Sequence, residues 1–96
     1  MIRTFGNKTA EDIYNGVASK EARKLPRELH GGAVRKLDMI DAAIDVTDLR
    51  VPPGNHLEKL KGDRSGQYSI RINDQYRICF HFDQGNATNV EIVDYH

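Results

Sequence analysis

Two alternating runs on either side of one tight turn constrain this chain most. Tyr68, Ile70 and Ile72 alternate with Gln67, Ser69 and Arg71, and Tyr76, Ile78, Phe80 and Phe82 alternate with Arg77, Cys79 and His81. Successive side chains of a strand point to opposite faces, so a period of two predicts strands with one apolar and one polar face. Asn73-Asp74 between the runs favours a tight turn, and the whole reads as an antiparallel hairpin. Its apolar face must be buried against another layer.

The other elements supply that layer. Leu29, Ala33, Leu37, Ile40 and Ile44 are spaced as one face of an amphipathic helix, widened by Val34 and Ala43. Gly31-Gly32 costs about 1 kcal/mol per glycine relative to alanine, so the helix is expected to begin or bend near Ala33. It ends before Asp48, ahead of Val51-Pro52-Pro53-Gly54-Asn55. Upstream, Thr9-Ala10-Glu11-Asp12 resembles a capping box with Thr9 as N-cap. A short helix to about Gly16 follows, with Ile13 and Val17 on one face, and residues 21–25 are expected to continue helically. Met1–Phe5 reads as an edge strand, His56–Lys61 as a short strand, residues 62–66 as a loop, Gln84-Gly85-Asn86 as a turn and Val90–Tyr95 as the last strand. The sum is one α+β domain over residues 1–96, with two N-terminal helices packed on one face of a small, mostly antiparallel sheet. The opposite sheet face is expected to be open.

Composition limits the function classes. Fourteen basic and fourteen acidic side chains give zero net charge, which argues against a nonspecific nucleic-acid binder. The charge is uneven, however: residues 50–81 hold six Lys and Arg against three Asp and Glu, a local excess of three. Single Cys79 excludes an intrachain disulfide, which fits a cytoplasmic location, and reads as a partly buried thiol. No apolar run spans a bilayer, no signal peptide is expected, and no membrane partner follows. No spacing matches a metal site or a glycine-rich phosphate loop, so no cofactor is expected.

The candidate chemistry lies in the basic block and at the last residues. Arg71 and Arg77 occupy the polar register of adjacent strands, where two guanidiniums repel unless an anion lies between them; a phosphate fits, as does pairing with Asp74 or Glu91. Asp94-Tyr95-His96 combines an imidazole that titrates near neutrality with a carboxylate and a phenol. Metal-free RNA cleavage needs a base for the 2′-hydroxyl, cations for the phosphorane and an acid for the leaving oxygen, and Lys61, Arg77, Asp94, Tyr95 and His96 contain all three.

The segments from Leu60-Lys61-Gly62-Asp63-Arg64 to Arg71, from Asp74 to Ile78 and from Val90 to His96 resemble the HigB/GraT toxins of the RelE superfamily, as do Met1-Ile2-Arg3, residues 35–43 and Leu49 to Asn55. The resemblance implies a RelE-like fold and a type II toxin that cuts mRNA in the A site of the 30S subunit of the ribosome. It implies catalytic Asp94, Tyr95, His96 and Arg77, and RNA or ribosome contacts from Lys59, Lys61, Arg64 and Arg71. Partners implied are a HigA-type helix-turn-helix antitoxin, the ribosome with its mRNA, and operator DNA only through the antitoxin complex. Some members carry a histidine where this chain has Glu58, which leaves His56 and Glu58 as possible additional bases. The alternative within the superfamily is a non-enzymatic ParE-like toxin that binds a protein such as gyrase; fold alone does not separate the two.

Overall fold

The structure, a computed structural model, describes residues 1–95. Helix α1 (Lys8–Asn15) starts two residues earlier than the capping-box reading. Asn7 is the N-cap, its side chain accepting from the Ala10 N–H, and Gly16 closes the helix in the left-handed region at φ 71°. Thr9, expected as the cap, instead donates to the Glu21 carbonyl at 3.0 Å. Asp12 is buried and accepts from Ser19 Oγ at 2.6 Å and Lys8 Nζ at 3.0 Å, tying the loop after α1 back onto it. Ile13 is buried, but Val17 falls beyond the glycine and is exposed.

Residues 22–24 and 27–29 form single 3₁₀ turns, and the second runs directly into α2 (His30–Ala42). That preceding turn seeds the helix, so α2 begins before the glycine pair rather than at Ala33, and both glycines fall in its first turn. Ala33, Leu37 and Ile40 are buried as the spacing predicts. Ile44 is not: Ala43 turns extended, and Ile44 lies past the helix end, 84% exposed.

Four strands follow: β1 (Glu58–Lys59), β2 (Tyr68–Arg71), β3 (Tyr76–Asp83) and β4 (Asn86–Asp94), adjacent in chain order and antiparallel throughout. The predicted hairpin is β2–β3, with Ile70 opposite Ile78 and Arg71 opposite Arg77. Its turn is fixed by Asn73, whose side-chain oxygen accepts from the N–H groups of Gln75 and Tyr76. The β3–β4 turn has both Gln84 and Gly85 at positive φ, matching the twist of a two-residue hairpin. Strand β4 starts at Asn86, well before Val90, and a register shift interrupts its pairing between Cys79 and His81. The expected N-terminal edge strand is a pair of parallel bridges, Ile2 to Ala87 and Phe5 to Val90, along the outer side of β4.

Both helices cover one sheet face. Ala10, Ile13, Ala33, Leu37 and Ile40 pack with Ile70, Ile78, Phe80, Val90 and Ile92 in one core. The opposite face is not open as expected. Ser69, Cys79, Leu60 and Arg77 are buried outside that core, because the segment 60–67 folds across it. Arg64 at the tip of that segment reaches Glu91 on β4 at 2.9 Å and Gln67 at 3.0 Å, and Gly66 lies against the His81 ring.

Candidate functional site

Arg77 is the centre of this second face. Residues 69, 77 and 79 share it by strand alternation, and the register puts Ser69 opposite both Cys79 and Glu58. Arg77 Nε donates to Ser69 Oγ at 2.8 Å, and Nη2 donates to the His56 carbonyl at 2.6 Å and, more weakly, to the Ser69 carbonyl at 3.4 Å. His56 turns its carbonyl inward because its backbone is left-handed, at φ 46°. Of the five guanidinium N–H groups, Nε and Nη2 are thus committed internally. Nη1 looks outward toward Glu58 Oε1 at 3.6 Å, and the side chain retains 11% exposure. The Tyr95 ring covers it, with the guanidinium carbon 5.7 Å from the ring centroid, a cation–π distance.

The structure brings Arg77, Tyr95, Glu58 and the His56 backbone together. It does not bring Asp94 there. Asp94 lies opposite Tyr76, accepts from Gln75 Nε2 at 3.1 Å and, with Asn7, Thr9 and Lys24, lines a groove of about 320 Å³ on the helix-bearing side. Adjacent strand residues face opposite ways, so Tyr95 and Asp94 cannot both face Arg77 while β4 stays extended. His96 lies outside the described residues. The Arg71–Arg77 juxtaposition is real, and acids resolve the repulsion: Arg71 pairs with Asp74, and Arg77 has Glu58 nearby. Lys59 alternates to the other side of β1 from Glu58 and is exposed, as is Lys61. Arg64 is half-buried in its Glu91 ion pair, which pushes its pKa up.

Cys79 lies beneath this face, fully buried. Loss of hydration raises its thiol pKa, outweighing the opposing pull of Arg64 and Arg77, so it remains a neutral thiol at pH 7 rather than a nucleophile. Ser69 was not singled out by sequence reasoning. Its signal was a small polar residue in the alternation beside a charged one, which is uninformative until the register is known. Among the described residues no three His, Cys, Asp or Glu side chains converge as a metal site, and no helix is long and apolar enough to cross a membrane.

What this face can do is hold one anionic oxygen at Nη1, with a phenol above it and a carboxylate beside it. Residues 3–96 match the family described as the RelE-like toxin of type II toxin–antitoxin system HigB. "Toxin HigB-1" of Vibrio cholerae is 40% identical over 89 residues, covering 93% of this chain and 92% of the relative. "Endoribonuclease HigB" of Proteus vulgaris is 38% identical over 97 residues, covering both chains completely. Among solved structures, the fold is similar to a chain of the YoeB-YefM complex from Staphylococcus aureus, with a TM-score of 0.61 at 20% identity, covering 100% of this chain and 98% of that one. The α+β architecture with two helices on an antiparallel sheet is thus the RelE-like one, and the chain belongs to the HigB-like family of type II toxin–antitoxin toxins.

Proposed function

We propose that this toxin is a metal-independent endoribonuclease that cuts translated mRNA in the ribosomal A site. One observation carries the reading: a nearly buried guanidinium fixed by Ser69 and the His56 carbonyl, with only its Nη1 edge turned outward under Tyr95. A cation held in place before substrate arrives stabilises the charge that develops on a phosphorane without reorganising. A relative named as a HigB toxin supports the toxin role, and one named as a HigB endoribonuclease supports RNA cleavage.

In the proposed reaction the 2′-hydroxyl loses its proton, its oxygen attacks the adjacent phosphorus, and the 5′-oxygen leaves with a proton. Arg77 and the Tyr95 hydroxyl bear the phosphorane charge. His96 and Glu58 carry the two protons, Glu58 from its place beside Nη1 and His96 from its place in the chain after Tyr95. His56 contributes through its carbonyl. Asp94, on the other sheet face, acts as a positioning residue for the end of β4 through Gln75. Lys59, Lys61 and Arg71 supply charge toward RNA or the ribosome, and Arg64 holds the segment 60–67 in place. The partners of this reading are a HigA-type helix-turn-helix antitoxin, which also connects the toxin to operator DNA, and the 30S A site with its message, reached in the cytoplasm.

The test is inducible expression without antitoxin, with mapping of mRNA 5′ ends. Growth arrest with cuts inside translated frames is expected, and Arg77→Ala should restore growth and abolish the cuts. Arrest with intact mRNA and a DNA-damage response would overturn the nuclease reading in favour of a gyrase-directed toxin.

A further inference from the structure

The segment that delivers the His56 carbonyl to Arg77 is not held by apolar burial. Val51, Pro52, Pro53, Gly54 and His56 are all exposed, and Asn55 alone turns inward, fully buried. Its Nδ2 donates to the Leu49 carbonyl at 3.1 Å and to the Val51 carbonyl at 3.4 Å, so the loop closes around one of its own side chains. Its Oδ1 accepts from Nζ of Lys36 on α2. An amide engaged at both its oxygen and its nitrogen is fixed in rotation as well as in place. Lys36 is committed to that contact. It is half-buried, makes no ion pair among the described residues, and has its pKa pushed down by burial. An ammonium that stayed in water would avoid that desolvation.

The next residue along the chain is His56, at φ 46° and ψ 55°. A residue with a side chain keeps this left-handed conformation only where its surroundings over-determine it. Asn55 fixes the chain on one side, and on the other the His56 carbonyl accepts from Arg77 Nη2 at 2.6 Å. We propose that Lys36 and Asn55 are positioning residues, a strut from α2 that fixes the His56 carbonyl and so aims Nη1 of Arg77 at the scissile phosphate. Both act through His56. The proposal rests on the nuclease reading above.

Two measurements on the full-length toxin test it. In the first, toxin in excess over ribosomes programmed with a defined mRNA is followed through a single turnover. The plateau rate reports the chemical step, and the toxin concentration at half-saturation reports binding and the fraction folded. Lys36→Met keeps an unbranched stem and removes the donor. It should lower the plateau rate by about tenfold or more, because small misplacements of a positioned group cost that much, with half-saturation nearly unmoved. Asn55→Asp, which replaces the donors to Leu49 and Val51 with a second oxygen, should lose at least as much. An unchanged plateau rate in Lys36→Met, or a loss confined to half-saturation, would overturn the strut. The second measurement needs no substrate. The Arg77 Nε–H, bonded to Ser69 Oγ in a buried setting, is followed for solvent exchange by nitrogen-15 NMR. Lys36→Met should speed that exchange by about tenfold, while the backbone amides of Leu37, Ile40 and Ile78 exchange as before. Unchanged Nε–H exchange, or equal acceleration at those core amides, would overturn the strut as well. If the unmodified toxin leaves the programmed mRNA intact, the nuclease reading itself fails, and the exchange measurement still decides whether Lys36 and Asn55 set Arg77.

Discussion

Ser69 decides how Arg77 behaves. Among the described residues its hydroxyl is the only side-chain acceptor for Nε, and both groups are buried. Ser69→Ala leaves a buried charged N–H without a partner, so we expect a loss of about 1–3 kcal/mol in denaturant unfolding, together with weaker cleavage. Arg77→Lys should not rescue cleavage, because an ammonium cannot reach Ser69, His56 and a phosphate in one plane; a growth-arrest assay reads this directly. Cys79 gives a separate check on the covered face. With its thiol both buried and raised in pKa, iodoacetamide at pH 7.5 should label it only after denaturant is added. Rapid labelling of the native protein would mean that the segment 60–67 does not close over the sheet.

At the scale of elements, what the sequence revealed and what it hid follow from range. The β2–β3 hairpin was legible because strand period and turn chemistry are local signals, and the apolar stripe of α2 was legible for the same reason. Ile44 misled, since its spacing fits a helix that Ala43 has already ended. The α1 cap went to Asn7 rather than Thr9 because Thr9 is used by Glu21, a partner twelve residues away. Closure of the second sheet face was invisible, because it depends on Arg64 meeting Glu91 across the sheet. The opposed orientation of Asp94 and Tyr95 was implicit in simple alternation once β4 was known to stay extended to Asp94. The joint between α1 and its following loop carries a pH signature. Hydrogen bonds from Ser19 and then Lys8 hold the Asp12 carboxyl below the ordinary aspartate value of 3.8. The stabilisation is therefore fully present above that value and is lost as the pH falls through the lower, folded one. Thermal melts should fall more steeply below pH 4 for the native chain than for Asp12→Asn, which should be less stable at neutral pH.

For the molecule as a whole, the balance of charge limits what it does alone. Fourteen cations against fourteen anions leave little field to gather RNA from solution. Fluorescence anisotropy with a naked oligonucleotide should give weak binding and a shallow dependence on salt; tight, strongly salt-dependent binding would contradict the ribosome as the source of affinity. Strand β4 imposes a different kind of limit. It carries the register shift opposite Cys79 and His81 and then runs uninterrupted to Asp94. Adding or deleting a single residue between Glu91 and Asp94 would exchange the two sides of everything downstream, turning the phenol toward the helices and the carboxylate toward Arg77. In a saturation library scored for toxicity, this stretch should therefore accept many replacements of identity yet almost no change of length.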